Sequence, residues 1–169
     1  MNYQKFRKLK NKLTSFQRRS KFVIKNVEVK IVADDNDFIP KYQTEGAACA
    51  DLVCNLNTEF IILHPNETFL FDCGFSMELP NGWEAQIRPR SGMSSKEVIV
   101  LNSPGIIDSD YRGRIRVAMK NCSQNKITFT NKQRIAQISV NPVTQFNWVI
   151  SKELSKTKRN DGGFGSTGQ

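Results

Sequence analysis

The chain has 169 residues, room for one domain, and 38% of them are hydrophobic, which supports a lean core. Its formal charge of +9 is uneven: residues 1–25 hold nine Lys and Arg with no acid, and removing those nine from the chain's 25 leaves 16 against 16 Asp and Glu. The body is therefore formally neutral, so the net charge does not argue for nucleic-acid binding by it, and no apolar run approaches the roughly 18 residues of a membrane span.

Residues 1–21 form a leader distinct from the rest. Tyr3, Phe6, Leu9, Leu13 and Phe16 recur every three or four positions, which places them on one face of a basic amphipathic helix. A nucleic-acid arm, a membrane-surface anchor, an organellar presequence and a solvated extension all fit that pattern. No short apolar segment follows the first charges, which argues against a secretory signal.

From 22 to 150 the pattern is one of short strands. Val27, Val29 and Ile31 alternate with Glu28 and Lys30. Gly46-Ala47-Ala48-Cys49-Ala50-Asp51-Leu52 follows, a run of small residues suited to a core strand, with one acid among them. Strands are predicted at 59–63, 68–71, 75–79, 83–87 and 98–101, with turns at Pro65-Asn66 and Pro80-Asn81-Gly82. Ile115, Val117 and Met119 alternate with Arg114, Arg116 and Lys120, and Ile127 and Phe129 alternate with Thr128 and Thr130. Asn131 marks a further turn, and segments 134–140 and 146–150 complete the set. Short strands at this interval, with no internal repeat, indicate an all-β sandwich or barrel. Residues 151–169 lose the alternation and have the composition of a flexible tail.

The side chains narrow the chemistry. Cys49, Cys54, Cys73 and Cys122 form no Cys-x-x-Cys pair, which excludes the usual zinc spacing and points to reduced thiols in a cytoplasmic core. His64, the one histidine, precedes Pro65 in a loop, so a general base must be sought among the carboxylates. Arg88-Pro89-Arg90-Ser91-Gly92-Met93-Ser94-Ser95-Lys96 leaves a strand with three cations, three hydroxyls and a glycine. That set suits a polyphosphate, although a solvated basic loop has the same composition. Asn102-Ser103-Pro104-Gly105-Ile106-Ile107-Asp108-Ser109-Asp110-Tyr111-Arg112-Gly113 delivers Asp108 from an apolar segment, where a carboxylate could orient and deprotonate water. In isolation such an Asp-x-Asp hairpin is as well explained by solvated acids. Arg134-Ile135-Ala136-Gln137-Ile138 sets an Arg and a Gln on one face of a strand. In the tail, glycines surround Phe164, with Arg159 upstream and Ser166 and Thr167 after it; backbone there can approach a ligand closely while the ring offers a flat face.

In this order the five clusters resemble the five motifs of the trimeric dUTP diphosphatase family, and the likeness runs from about Val27 to Gly168. Pro89-Arg90-Ser91-Gly92-Met93 and the run from Gly105 to Gly113 are its most specific parts. The resemblance implies a jelly-roll-like β-barrel at 22–150, a C-terminal arm at 151–169, and a homotrimer with three shared sites. It implies Mg²⁺-dependent hydrolysis of dUTP to dUMP and diphosphate, which limits uracil in DNA and supplies dUMP for thymidylate synthesis. By the same resemblance Asp108 orients the water attacking the α-phosphorus. Asn102, with the hairpin around Ile106, Ile107 and Arg116, reads uracil, and Tyr111 packs under the deoxyribose. Arg90, Ser91, Gly92 and Gln137 belong to the phosphate site, and Asp51 reaches Mg²⁺ through water. Phe164 closes over the uracil, while Arg159, Gly165, Ser166 and Thr167 hold the γ-phosphate.

Two positions depart from the family pattern. Asn160 stands where glycine is usual after the arm's arginine, and Arg114 replaces a common acid, a change expected to matter little. A deoxycytidine-triphosphate deaminase shares the implied fold but should not need the Asp-Ser-Asp-Tyr hairpin or the aromatic arm. A non-catalytic regulator is a reading of another class, and intact Asp108, Tyr111 and Phe164 argue against it. The expected compartment is the cytoplasm of a bacterium or phage-infected cell, with a mitochondrial presequence as the alternative.

Overall fold

Alternating burial builds the body. Along Arg114–Asn121, residues Ile115, Val117, Met119 and Asn121 are buried while Arg116 faces solvent and Lys120 is half-exposed. The computed structural model describes residues 26–164 and Ser166. The leader at 1–21, with its amphipathic pattern, lies outside these residues, as do Gly165 and Thr167.

Ten strands follow in chain order: β1 Lys30–Ala33, β2 Ala50–Val53, β3 Phe60–Leu63, β4 Thr68–Glu78, β5 Trp83–Pro89, β6 Val98–Val100, β7 Gly105–Ile107, β8 Arg114–Asn121, β9 Ile127–Thr130 and β10 Arg134–Pro142. A 3₁₀ turn at Asn36–Phe38 and a one-turn helix α1, Ser91–Ser94, interrupt them. One sheet has the order β1-β4-β8-β6, a second β2-β10-β5-β7, and β3-β9 form a ribbon. Every pair is antiparallel. Inner faces of both four-stranded sheets share one core, with Leu52, Phe71, Phe75, Ile115, Met119, Phe129 and Ile135 fully buried. Phe71 and Phe129 pack with ring centroids 4.8 Å apart; truncating a buried Phe of this kind to Ala costs about 3–5 kcal/mol.

Several predicted boundaries shift. The strands expected at 68–71 and 75–79 are one strand, β4, bent by a bulge. Register steps from Asp72 opposite Arg116 to Ser76 opposite Arg114. Gly74 in that bulge has φ +78, and a Cβ there would come within 2.4 Å of the Phe38 ring, so only glycine fits. The small-residue run is strand only from Ala50; residues 46–49 are turn and bend. Gly105–Ile107 pairs with β5 as a strand, where the sequence indicated only an apolar segment. Segment 146–150, expected as a strand, is irregular and exposed. Its residues are mostly apolar, but β10 ends at Pro142 and among the described residues no neighbouring strand pairs with 146–150.

Candidate functional site

β7 carries the first constellation. Pairing with β5 sets Ile107 opposite Ala85 and Ile106 opposite Gln86, so Ile107 is buried and Ile106 faces out. Asp108 is the first residue beyond the strand and is exposed. Its carbonyl accepts the Tyr111 N–H at 3.2 Å, closing a turn. The Tyr111 hydroxyl donates to the Arg114 carbonyl at 3.0 Å. Gly113 makes room for that ring: a Cβ there would lie 2.4 Å from the phenol oxygen. Ile106, Ile107, Asp108, Tyr111, Arg114, Ile115 and Arg116 line a concavity of about 190 Å³. Asn102 does not line it; its side-chain amide lies against Gly105, where an added Cβ would lie 3.2 Å from Nδ2.

A second constellation lies across β2, β10 and β5. Asp51, Gln137 and Arg88 occupy one register row of three strands, so their side chains leave the same face. Arg90 Nε donates to Asp51 Oδ1 at 2.9 Å and Arg134 Nη1 to Oδ2 at 3.2 Å, leaving the Asp51 side chain only 10% exposed. Arg90 also donates to the Arg134 carbonyl at 3.1 Å, and Arg134 to Gln43 Oε1 at 3.0 Å. Gln137 Nε2 donates to the Pro89 carbonyl at 2.8 Å. Strict alternation would put Arg134 and Gln137, three apart, on opposite faces. A bulge between Arg134 and Ala136 buries Ile135 and Ala136 together and returns both polar residues to one face, beside Asp51. Ser91 and Gly92 begin α1 and are exposed.

The tail folds on itself. Arg159 Nε donates to the Gly162 carbonyl at 2.7 Å, Thr157 N–H to Asn160 Oδ1 at 2.9 Å, and Ser166 N–H to the Gly163 carbonyl at 3.0 Å. Asn160 takes φ +43, a left-handed conformation that asparagine tolerates better than most residues, so its replacement of glycine keeps the bend available. Phe164 is fully exposed.

One chain thus brings Asp108 together with Ile106, Ile107, Tyr111 and Arg116, and Asp51 with Arg90 and Gln137, but it does not join the two groups. The Asp51 side opens on a different concavity, of about 320 Å³, that shares no lining residue with the first. Sequence reasoning missed three things: Arg134 as a partner of Asp51, Gly113 as the seat of Tyr111, and the use of Arg114. Far from mattering little, Arg114 makes four hydrogen bonds, to Asp34 and Asp72. These bonds span 80 and 42 residues of sequence, so no local signal could reveal them. They hold the Asp34 carboxyl below the usual carboxylate range.

A metal held wholly by protein does not fit: among the described residues no group of three His, Cys, Asp or Glu is suitably clustered. A hydrated Mg²⁺ does fit, because each oxygen of Asp51 is bonded to one arginine and keeps a further acceptor position for a metal-bound water.

The dUTPase family model matches residues 35–168. The chain belongs to the dUTPase family. It is 49% identical over 131 residues to the deoxyuridine 5'-triphosphate nucleotidohydrolase of Hydrogenobaculum sp., covering 77% of this chain and 90% of that relative. Among solved structures, the Staphylococcus bacteriophage 80alpha dUTPase with dUPNHPP is 21% identical with a TM-score of 0.70, over 84% of this chain and 99% of that one. A mutant dUTPase from phage phi11 of S. aureus, described with a structural Mg(II) ion, is 16% identical with a TM-score of 0.66, over 76% and 99%. These likenesses establish the jelly-roll-like dUTPase fold of this family member.

Proposed function

We propose that this chain hydrolyses dUTP to dUMP and diphosphate by attack of water on the α-phosphorus. The observation that carries the reading is the pocket of about 190 Å³ that unites Asp108, Ile106, Tyr111 and Arg116 on one hairpin. A triphosphate repels nucleophiles, so its charge must be met before water can attack. The Asp108 carboxylate accepts a proton from the attacking water and orients it. Tyr111 packs under the deoxyribose, and Asn102, Arg116 and the backbone of Ile106 and Ile107 read the uracil edge. A snug pocket rejects the methyl of thymine sterically. Cytosine presents hydrogen-bonding groups of the opposite sense, leaving buried polar atoms unpaired.

Arg90, Ser91, Gly92 and Gln137 hold phosphate oxygens, and Asp51 holds Mg²⁺ through its water shell. When bound, the ion neutralises phosphate charge and polarises the phosphoryl oxygens. The separation of the Asp51 and Asp108 groups on one chain supports a site shared between subunits of a homotrimer. Exposed Phe146, Trp148, Val149, Ile150 and Leu154 support a tail that runs over a neighbour. In the closed arm Phe164 covers the uracil and Arg159, Gly165, Ser166 and Thr167 hold the γ-phosphate, excluding water.

The barrel at 22–150 and arm at 151–169 suffice for this chemistry, and the leader at 1–21 is left free for nucleic-acid contact through its cations. The deoxynucleotide pool and the free thiols of Cys49, Cys54, Cys73 and Cys122 suit a bacterial or phage-infected cytoplasm. Among the described residues no helix is long and apolar enough to cross a membrane. Incubation with dUTP and, separately, dCTP tests the reading. Diphosphate from dUTP is expected, whereas ammonia from dCTP would make the chain a deaminase.

A further inference from the structure

We propose that Arg114 is a specificity-determining positioning residue, whose clamp on Asp34 and Asp72 fixes the Tyr111 ring and thereby the preference for deoxyribose over ribose. The inference rests on the placement of the sugar over Tyr111 proposed above. Its basis is a guanidinium wedged between two carboxylates. Nη1 and Nη2 donate to Asp34 Oδ1 and Oδ2 at 2.7 and 2.6 Å, while Nε and Nη2 donate to Asp72 Oδ2 and Oδ1 at 3.1 and 2.8 Å. Both acids are fixed in turn. Asn55 Nδ2 donates to Asp34 Oδ2 at 2.9 Å, and the Asp34 N–H donates to the Gly74 carbonyl at 2.9 Å. The Gly74 N–H donates to Asp72 Oδ1 at 2.6 Å. The Arg114 side chain is one-third exposed, yet its contact with each carboxylate is bidentate, unlike an exposed single-point pair that contributes little.

The other hydrogen bonds of the hairpin are internal to it. Tyr111 N–H reaches the Asp108 carbonyl, and Arg112 Nη1 reaches the Ser109 and Tyr111 carbonyls. They shape the loop, and the further tie to the barrel, an ion pair of Arg112 Nε with Glu78 Oε2 of β4, is long at 4.0 Å and exposed, so it holds the loop weakly. Strand pairing stops at Ile107 on one side and resumes at Arg114 on the other. The Tyr111 hydroxyl is bonded to the carbonyl of that same Arg114, and the ring lies where a Cβ on Gly113 would sit. The Arg114 backbone is also paired with Ser76 of β4, so the side-chain clamp acts together with strand pairing to fix the carbonyl that holds the ring. Excluding one hydroxyl group demands such anchoring, because a ring free to shift by a fraction of an ångström admits it.

The test uses the full chain with Arg114→Ala, Arg114→Lys and Asp34→Asn. Lysine keeps the charge but cannot fork to two carboxylates. Two readouts are taken: kcat/KM for dUTP and for UTP, and hydrogen exchange of the backbone amides of 109–113. The dUTP:UTP ratio is expected to fall about tenfold in Arg114→Ala, and less in the other two, with faster exchange across 109–113 in all three. An unchanged ratio in a folded variant overturns the proposal, and so does a parallel fall in both activities, whatever the exchange shows. If Arg114→Ala does not fold, Asp34→Asn decides. If the unmodified chain does not hydrolyse dUTP, the functional reading fails and the sugar preference with it. The clamp is then judged by exchange alone, and unaltered exchange at 109–113 overturns it.

Discussion

Asp51 and Asp108 are the two acids on which the proposed chemistry depends, and their surroundings are opposite. Asp51 is nearly buried, with each oxygen bonded to an arginine from a different strand or loop. Asp108 stands exposed at the end of β7, and no side-chain hydrogen bond or ion pair to it occurs among the described residues. A carboxylate committed to two guanidiniums is rigid and suited to holding a hydrated cation in place, but its oxygens are poor acceptors for a reacting proton. An uncommitted carboxylate beside a pocket is free to bind and orient water. The difference teaches that two aspartates of one chain can be given separate tasks by the partners around them.

The comparison can be tested at its strongest point first. Asp108→Asn keeps the hairpin but removes the proton acceptor, so kcat should fall by about 10²–10⁴. Binding of a non-hydrolysable dUTP analogue, read by calorimetry, should be preserved; lost binding would give Asp108 a structural task instead. Deleting 159–169 should lower kcat by about 10² through loss of the lid contacts. Light scattering should still find a trimer, and a monomer would show that the arm holds the assembly together rather than closing it. Arg134→Ala removes one partner of Asp51. The Mg²⁺ concentration for half-maximal activity should rise about tenfold while kcat at saturating metal changes little, as for other groups that orient a metal's ligands. A fall in kcat that saturating metal does not restore would instead tie Arg134 to the chemical step.

The smallest expected effect concerns acid. Bonds from Arg114, Lys132 and Lys30 hold Asp34, Asp37 and Glu78 below their ordinary ranges. Groups depressed in this way stabilise the fold above their unfolded pKa, near 4. That contribution is lost as pH falls through the lower folded values. The thermal midpoint should therefore be flat from neutrality to about pH 5 and drop by a few degrees below pH 4. Arg114→Ala should blunt the drop, since Asp34 loses the partner that depresses it. These residues are exposed and screened by solvent, which keeps the effect small.

Alternation made most strands legible, since Ile115, Val117 and Met119 can be buried together only if the segment is extended. It failed where burial depends on partners. Segment 146–150 is apolar enough for a core strand, but among the described residues no strand pairs with it, and its apolar side chains stay exposed. Gly105–Ile107 was missed for the converse reason: three residues are too few to show a period, and pairing with β5 makes the strand.

Residue order alone determined the all-β class, the neutral body beneath a basic leader, and the set of motifs in which a carboxylate must serve as base. Those properties depend on composition and on neighbours a few residues apart. Tertiary structure alone decided that Arg90 and Arg134 share Asp51, the latter through a bulge, and that Arg114 is clamped between Asp34 and Asp72. A hydrogen bond closing 80 residues of chain depends on where the sheets bring its two ends, and no local pattern of residues carries that distance.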